Sequence, residues 1–151
     1  MSSEFIGRGW AFPLRTDATG RIGMVDGSQE LEESIRLILG TAPGERPMRP
    51  DFGCAIHDLV FAAPDATTAG RVAHEVRVSL LRWEPRIEVL DVDVSYEAMD
   101  QGALLIDISY QAARSNDPRN LVFPFYVIPE EAGAESGDLA ATDAVARSSQ
   151  P

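Results

Sequence analysis

The chain has 151 residues and a formal net charge of -11, a length that suits one domain with a real core. That acidity argues against a nucleic-acid or anionic-membrane binder, since both need a basic surface. A single cysteine, Cys54, excludes an internal disulfide and a multi-cysteine zinc site, and no stretch is apolar for long enough to be a membrane-spanning helix.

All thirteen basic residues are arginine. A GC-rich genome explains this, and so does an arginine-rich interface, where arginine is favoured over lysine. The first residues, Met1-Ser2-Ser3-Glu4-Phe5, lack the basic and then apolar run of a signal peptide, so the expected site of assembly is the cytoplasm.

Along the chain, residues 1–27 read as a short extended pair around the turn Asp17-Ala18-Thr19-Gly20. Trp10 and Phe12 fall on one side of the first strand, where they are expected to lid the core. Ser28 then reads as the N-cap of a helix to about Leu39, with Leu31, Ile35, Ile38 and Leu39 as its apolar stripe. Glu32 and Arg36 stand four apart on it. A proline-rich loop, Gly44-Glu45-Arg46-Pro47-Met48-Arg49-Pro50-Asp51-Phe52-Gly53, leads to a helical turn from Cys54 to Phe61. A second helix begins at Ala63-Pro64-Asp65 and runs to about Arg82, with Ala69, Val72, Ala73, Val76, Leu80 and Trp83 inward.

Strands follow. Ile87 to Val89 alternates in one phase and Leu90 to Tyr96 in the other, which predicts a bulge at the switch. After a hairpin turn at Met99-Asp100-Gln101-Gly102, Leu104, Ile106, Ile108 and Tyr110 share the buried side of the next strand. The third strand, Leu121 to Ile128, is apolar on both sides yet contains Pro124, so it belongs at an edge or carries a bulge. An apolar edge needs cover, from the domain itself or from a partner by strand addition. From Glu130 onward Gly, Ala, Ser, Asp and Glu dominate, which predicts a folded domain at 1–129 and a disordered acidic tail at 130–151.

Little of this resembles a catalytic centre. Glu45, Asp51 and Glu84 each have an arginine close in sequence (Arg46, Arg49, Arg86), which lowers a carboxylate pKa when a general acid needs a raised one. Cys54-x-x-His57 is half a metal site without a second half. No catalytic residue, metal ligand or cofactor is therefore assigned. Docking chemistry is better supplied, because proline fixes the backbone beside Arg46, Arg49 and Arg86 and so holds each guanidinium in place. The alternative is internal: each arginine ties its own loop to Glu45, Asp51 or Glu84.

Four segments together resemble the phage baseplate wedge protein W family, which bears the legacy label of gene-twenty-five-like lysozyme and includes TssE-like subunits of contractile injection systems. They are Gly7-Arg8-Gly9-Trp10-Ala11-Phe12-Pro13, the Gly44-to-Gly53 loop, Glu84-Pro85-Arg86 and Asn120-Leu121-Val122-Phe123-Pro124-Phe125-Tyr126. The resemblance implies one compact α+β domain, a small mainly antiparallel sheet packed against two to three helices. It implies a structural subunit of a phage tail-like particle, linking the helical core bundle of other wedge subunits to the first ring of sheath protein within a large symmetric hetero-oligomer. It also implies partner contacts at Glu84, Pro85 and Arg86. To these the reading adds Arg46, Arg49 and Asp51 of the loop and Val122, Phe123, Pro124, Phe125 and Tyr126 of the last strand. A peptidoglycan-cleaving enzyme, as the legacy label has it, is the rival.

Overall fold

The computed structural model describes residues 6–96 and 103–126. The Met99–Gly102 turn and the acidic segment 130–151 lie outside the described residues. The chain opens with a two-stranded antiparallel ribbon, β1 (Arg8–Trp10) paired with β2 (Met24–Asp26), with Trp10 opposite Met24. Asp17 shapes its turn: one carboxylate oxygen accepts the N–H groups of Thr19 and Arg21 and the Thr19 hydroxyl. The expected lid does not form. Ala11 and Val25 are the buried residues of the ribbon, whereas Trp10 and Phe12 are 65% and 53% exposed. Alternation alone cannot say which side of a strand meets the core; here the small residues face inward because the ribbon lies close against a helix.

That helix, α1 (Gly27–Gly40), buries Leu31, Ile35, Ile38 and Leu39 as its spacing requires. Glu32 and Arg36 form the i, i+4 pair at 3.7 Å. Its N-cap is Asp26 and not Ser28, and Asp26 makes no side-chain cap bond. β2 runs directly into the helix, so the last strand residue becomes the cap. The proline-rich loop closes on itself, with Cys54 N–H donating to the Thr41 carbonyl at 2.9 Å and Gly44 N–H to the Pro50 carbonyl at 2.7 Å. A short 3-10 helix (Ala55–Leu59) follows. Then comes α2 (Ala66–Trp83), capped by the Asp65 carboxylate, which accepts the Thr68 N–H at 2.7 Å.

A three-stranded antiparallel sheet completes the domain in the order β3 (Ile87–Ser95), β4 (Ala103–Ala112), β5 (Pro118–Tyr126). The register of β3 on β4 shifts between Val89 and Asp91, the bulge that the phase switch predicts. Leu104, Ile106, Ile108 and Tyr110 of β4 are buried, together with Leu121 and Phe125 of β5, Val92 of β3, the α1 stripe, Val72, Val76 and Leu80 of α2, and Cys54, Ile56 and Leu59. Of the expected α2 stripe, Ala69, Ala73 and Trp83 are only half-buried, and Ser79 is buried instead. This is one apolar core between a sheet and two helices, and the architecture is α+β.

β5 is an edge strand and pairs with β4 without a shift, Pro124 lying opposite Leu105 and Pro118 opposite Gln111. A residue without an N–H fits an unbroken ladder only where that N–H would point away from the neighbour. Pro118, Asn120, Val122, Pro124 and Tyr126 therefore turn their backbone groups to the open edge, and the amides available there are those of Asn120, Val122 and, at the strand's end, Tyr126.

Two glycines test the backbone argument. Gly53 has φ +123°, and a Cβ there would stand 2.2 Å from the Thr41 carbonyl oxygen. Gly53→Ala is expected to lower stability by about 2 kcal/mol or more. Gly70 is exposed within α2 and a Cβ there meets open space, so Gly70→Ala is expected to raise stability by about 0.5–1 kcal/mol. Urea unfolding midpoints read both.

Candidate docking site at the end of the second helix

Pro85 ends α2. It has no N–H to continue the helix, and it pushes Glu84 out of the helical region to φ -128°, ψ 74°. The next residue is held at once: the Arg86 carbonyl accepts the Ala113 N–H at 2.8 Å. This sharp corner carries Glu84 into the core margin, where it is 2% exposed. A buried carboxylate needs a countercharge. Arg86 supplies it bidentately, Nε and Nη2 each donating to Glu84 at 2.6 Å. The same guanidinium also donates to Glu30 of α1, from Nη1 at 2.6 Å and Nη2 at 3.1 Å. The Ser34 hydroxyl, one turn beyond Glu30, donates to Glu84 Oε2.

Burial pushes the Glu84 carboxyl up, but the bonds from Arg86 and Ser34 outweigh it and hold the group below the usual glutamate range. Arg86 is held above the ordinary arginine value, chiefly by Glu84. Of the five N–H donors that a guanidinium has, four are engaged. The reading that Arg86 ties its loop to Glu84 is what the structure shows, with Glu30 and Ser34 as partners that the sequence did not point out. Glu30 is legible in the sequence as a dipole-favouring residue of the first helical turn; that it lies one turn from Ser34, on a shared side, is the signal that could have paired them with Glu84.

The amino-terminal motif Gly7-Arg8-Gly9 lies against this network. A Cβ on Gly7 would stand 2.9 Å from Arg86 Nη1, and one on Gly9 would stand 3.2 Å from Glu30 Oε1. Glycine lets the backbone come that close, and Gly7 also has φ +137°. Glu33 fastens the ribbon beside it by accepting the Phe12 N–H at 2.8 Å.

In the proline-rich loop the guanidinium groups of Arg46 and Arg49 are held by rings and not by carboxylates. Phe52 and Trp83 pack with centroids 5.1 Å apart. The Arg46 guanidinium lies 4.2 Å over Phe52, while Arg49 and Arg82 lie 5.3 Å and 4.7 Å from the Trp83 centroid. The expected internal ties of Arg46 to Glu45 and Arg49 to Asp51 do not form. Glu45 instead accepts the Ala42 N–H, and Asp51 pairs with Arg82 at 2.9 Å. Stacking satisfies the guanidinium faces of Arg46 and Arg49 but leaves their edges with no carboxylate among the described residues. Met48 tops the loop, almost wholly exposed.

The β5 residues stand apart from this corner. Phe125 is core and Phe123 half-buried, while Val122 and Pro124 face outward; Tyr126 is placed only by its pairing with Ala103. His57 is accounted for structurally, Nε2 lying 2.9 Å from the Leu39 carbonyl oxygen and its ring packing edge-on to Phe125. Cys54 is wholly buried, and burial pushes its thiol up. Among the described residues no three His, Cys, Asp or Glu side chains are grouped to hold a metal ion.

The fold is thus a small α+β domain whose charged residues gather where a loop, a ribbon and two helices meet. Residues 25–117 match the family model described as baseplate wedge protein gp25, and the chain belongs to that family of structural baseplate components. It is 30% identical over 91 residues to baseplate wedge protein gp25 of Enterobacteria phage T4, an alignment covering 60% of this chain and 68% of that protein. A crystal structure of a protein described as a tail lysozyme from Geobacter sulfurreducens is 50% identical, with a TM-score of 0.65 over 70% of this chain and 96% of that one. A chain of the anti-feeding prophage baseplate shares the fold at 23% identity, with a TM-score of 0.57 over 83% of this chain and 89% of that one. The family span includes Glu30, Ser34, the proline-rich loop and Glu84-Pro85-Arg86; β5 begins just beyond it.

The network makes a signed prediction. A carboxyl whose folded pKa is depressed contributes stability that is full above its unfolded value and is lost as pH falls through the folded one. Stability is therefore expected to drop on acidification below about pH 4.5, and Glu84→Gln to flatten that slope. Arg86→Ala leaves the buried carboxylate unpaired and is expected to cost about 3 kcal/mol. Denaturant titrations across pH measure both.

Proposed function

We propose that this chain is a non-enzymatic baseplate subunit that links the helical core bundle of neighbouring wedge subunits to the first sheath ring and templates sheath assembly. The observation that carries the reading is the pair of stacked, carboxylate-free guanidinium groups, Arg46 and Arg49, held beside the Glu84-Pro85-Arg86 corner. Rigid arginines with free edges are suited to an acidic partner surface, because little side-chain entropy is lost when they bind. Arg86 has one N–H left over and contributes mainly by holding the corner in shape. The open edge of β5 supplies the second contact, main-chain pairing with a sheath strand through Asn120 and Val122. The assembly belongs to the cytoplasm in this reading; no described helix is long and apolar enough to cross a membrane.

Peptidoglycan cleavage is not favoured. A glycosidase pairs a carboxylate with a second carboxyl of raised pKa. Glu84 is held low and bonded on both oxygens, Asp51 is in an ion pair and Glu45 caps the loop. The purified protein is expected to leave the turbidity of a cell-wall suspension unchanged; clearing that Glu84→Gln abolishes would reverse this assignment.

Two variants separate the proposed contacts. Arg46→Glu/Arg49→Glu removes two cation–π contacts at the loop surface, half-buried at Arg46 and exposed at Arg49, that are worth about 1 kcal/mol each, so the domain is expected to fold and to fail to enter baseplates. Val122→Pro removes one outward amide and leaves the pairing with β4 intact. It is expected to give baseplates that bear no sheath in electron micrographs. Long sheaths on both variants would refute the docking roles.

A further inference from the structure

The amino-terminal ribbon has two unlike sides. Its inner side, Ala11 and Val25, is buried against α1. Outward stand Trp10, Phe12, Leu14, Ile22 and Met24, each 41–65% exposed. Trp10 and Met24 are directly opposite in register, and strand alternation places Ile22 on the same side as Met24. Phe12, Pro13 and Leu14 protrude as a knob, because Ala11 N–H bonds to the Gly23 carbonyl while Gly23 N–H bonds back to the Arg15 carbonyl. Five large apolar side chains exposed within one hairpin are more than scattered surface residues, and such a patch marks a contact surface.

The charge around the patch names the kind of partner. Arg8, Arg15 and Arg21 are exposed, and none has a side-chain hydrogen bond or ion pair among the described residues. Asp17, the acid at the turn, is occupied by the amides of Thr19 and Arg21. Asp26 is the other acid of the ribbon, exposed and opposite Arg8 in register. Three exposed arginines against two acids leave this apolar strip net positive, on a chain of net charge -11.

We propose that the outward side of the β1–β2 ribbon is a second docking surface, and that its occupant is an acidic amphipathic helix of a protein partner. Such a helix lays an apolar stripe on Trp10, Phe12 and Met24 and sets its acids against Arg8, Arg15 and Arg21. A second copy pairing ribbon to ribbon would bring like charges together. An anionic bilayer is repelled by the rest of the chain. The chain's own segment 127–151 is acidic, but beyond Val127 and Ile128, which directly follow β5 in sequence, Leu139 and Val145 are its only large aliphatic residues and stand six apart, too sparse to form a stripe over the patch. The surface is independent of the contacts proposed above, and its test touches none of them.

The probes are two short helical peptides with one shared leucine stripe, flanked by glutamates in one and by lysines in the other. They are titrated calorimetrically into the full chain. The glutamate peptide is expected to bind at least about tenfold more tightly, a difference of about 1.4 kcal/mol. Trp10→Ser/Phe12→Ser, at exposed positions that leave the core intact, is expected to abolish that binding. Arg8→Glu/Arg15→Glu/Arg21→Glu is expected to reverse the preference. Absent binding, equal binding of the two peptides, or binding indifferent to Trp10→Ser/Phe12→Ser overturns the proposal. So does tighter binding only after deletion of residues 127–151, which would give the patch to the chain itself. Association with phosphatidylglycerol vesicles, or dimerisation that Trp10→Ser abolishes, would give it to lipid or to a second copy.

Discussion

A carboxylate buried at the end of α2 is the constraint around which the rest of this domain is arranged. Glu84 is nearly inaccessible, and a lone charge there would be untenable. Its countercharge is the guanidinium two residues on, which the Pro85 corner folds back onto it, and the Ser34 hydroxyl assists. That guanidinium has more donors than Glu84 has need of, and the surplus reaches Glu30. One arginine thus joins α1 to α2, and its carbonyl joins both to the end of β4. The ribbon lies across the top because two glycines let it approach. Four elements, from the ribbon at the start of the domain to β4, meet at a single ionic cluster.

This accounting changes which arginines are available to a partner. Arg86, the residue of the family resemblance, is almost fully employed within the chain. Arg46 and Arg49 are positioned as firmly, but by aromatic faces, which occupy the flat side of a guanidinium and spare its edge. The two kinds of restraint leave different chemistry behind. An ionic bond consumes the donors that it fixes; a ring does not. A docking domain gains from using the first inside and the second at its surface. The corner and the loop are then one device, since Trp83 stacks under the loop and Glu84, its neighbour, anchors the network.

Among the described residues two surfaces of opposite kind are left uncovered. The β5 edge offers main-chain groups, thinned by proline so that few amides face outward. The ribbon offers side chains, apolar and cationic. Backbone pairing is tolerant of sequence, whereas side-chain packing is selective.

Sequence periodicity and punctuation determined the elements of this protein: both helices, the buried stripe of the first and the centre of the second's, the bulge at Leu90, and through Pro124 the choice of an edge or a bulge for β5, which the fold resolves as an edge. These are local facts, because helical and strand spacing, proline and glycine act through the backbone of their own neighbourhood. The motif residues Glu84-Pro85-Arg86 and the family they point to were legible for the same reason. What the tertiary structure alone decided is who meets whom. Asp26 and not Ser28 caps α1, Asp51 pairs with Arg82, Arg46 and Arg49 choose rings over carboxylates, and Trp10 and Phe12 turn to solvent. Partner choice among like side chains depends on distances across the fold. A linear pattern carries the chemistry of each group but not the separation between groups, and only packing sets that.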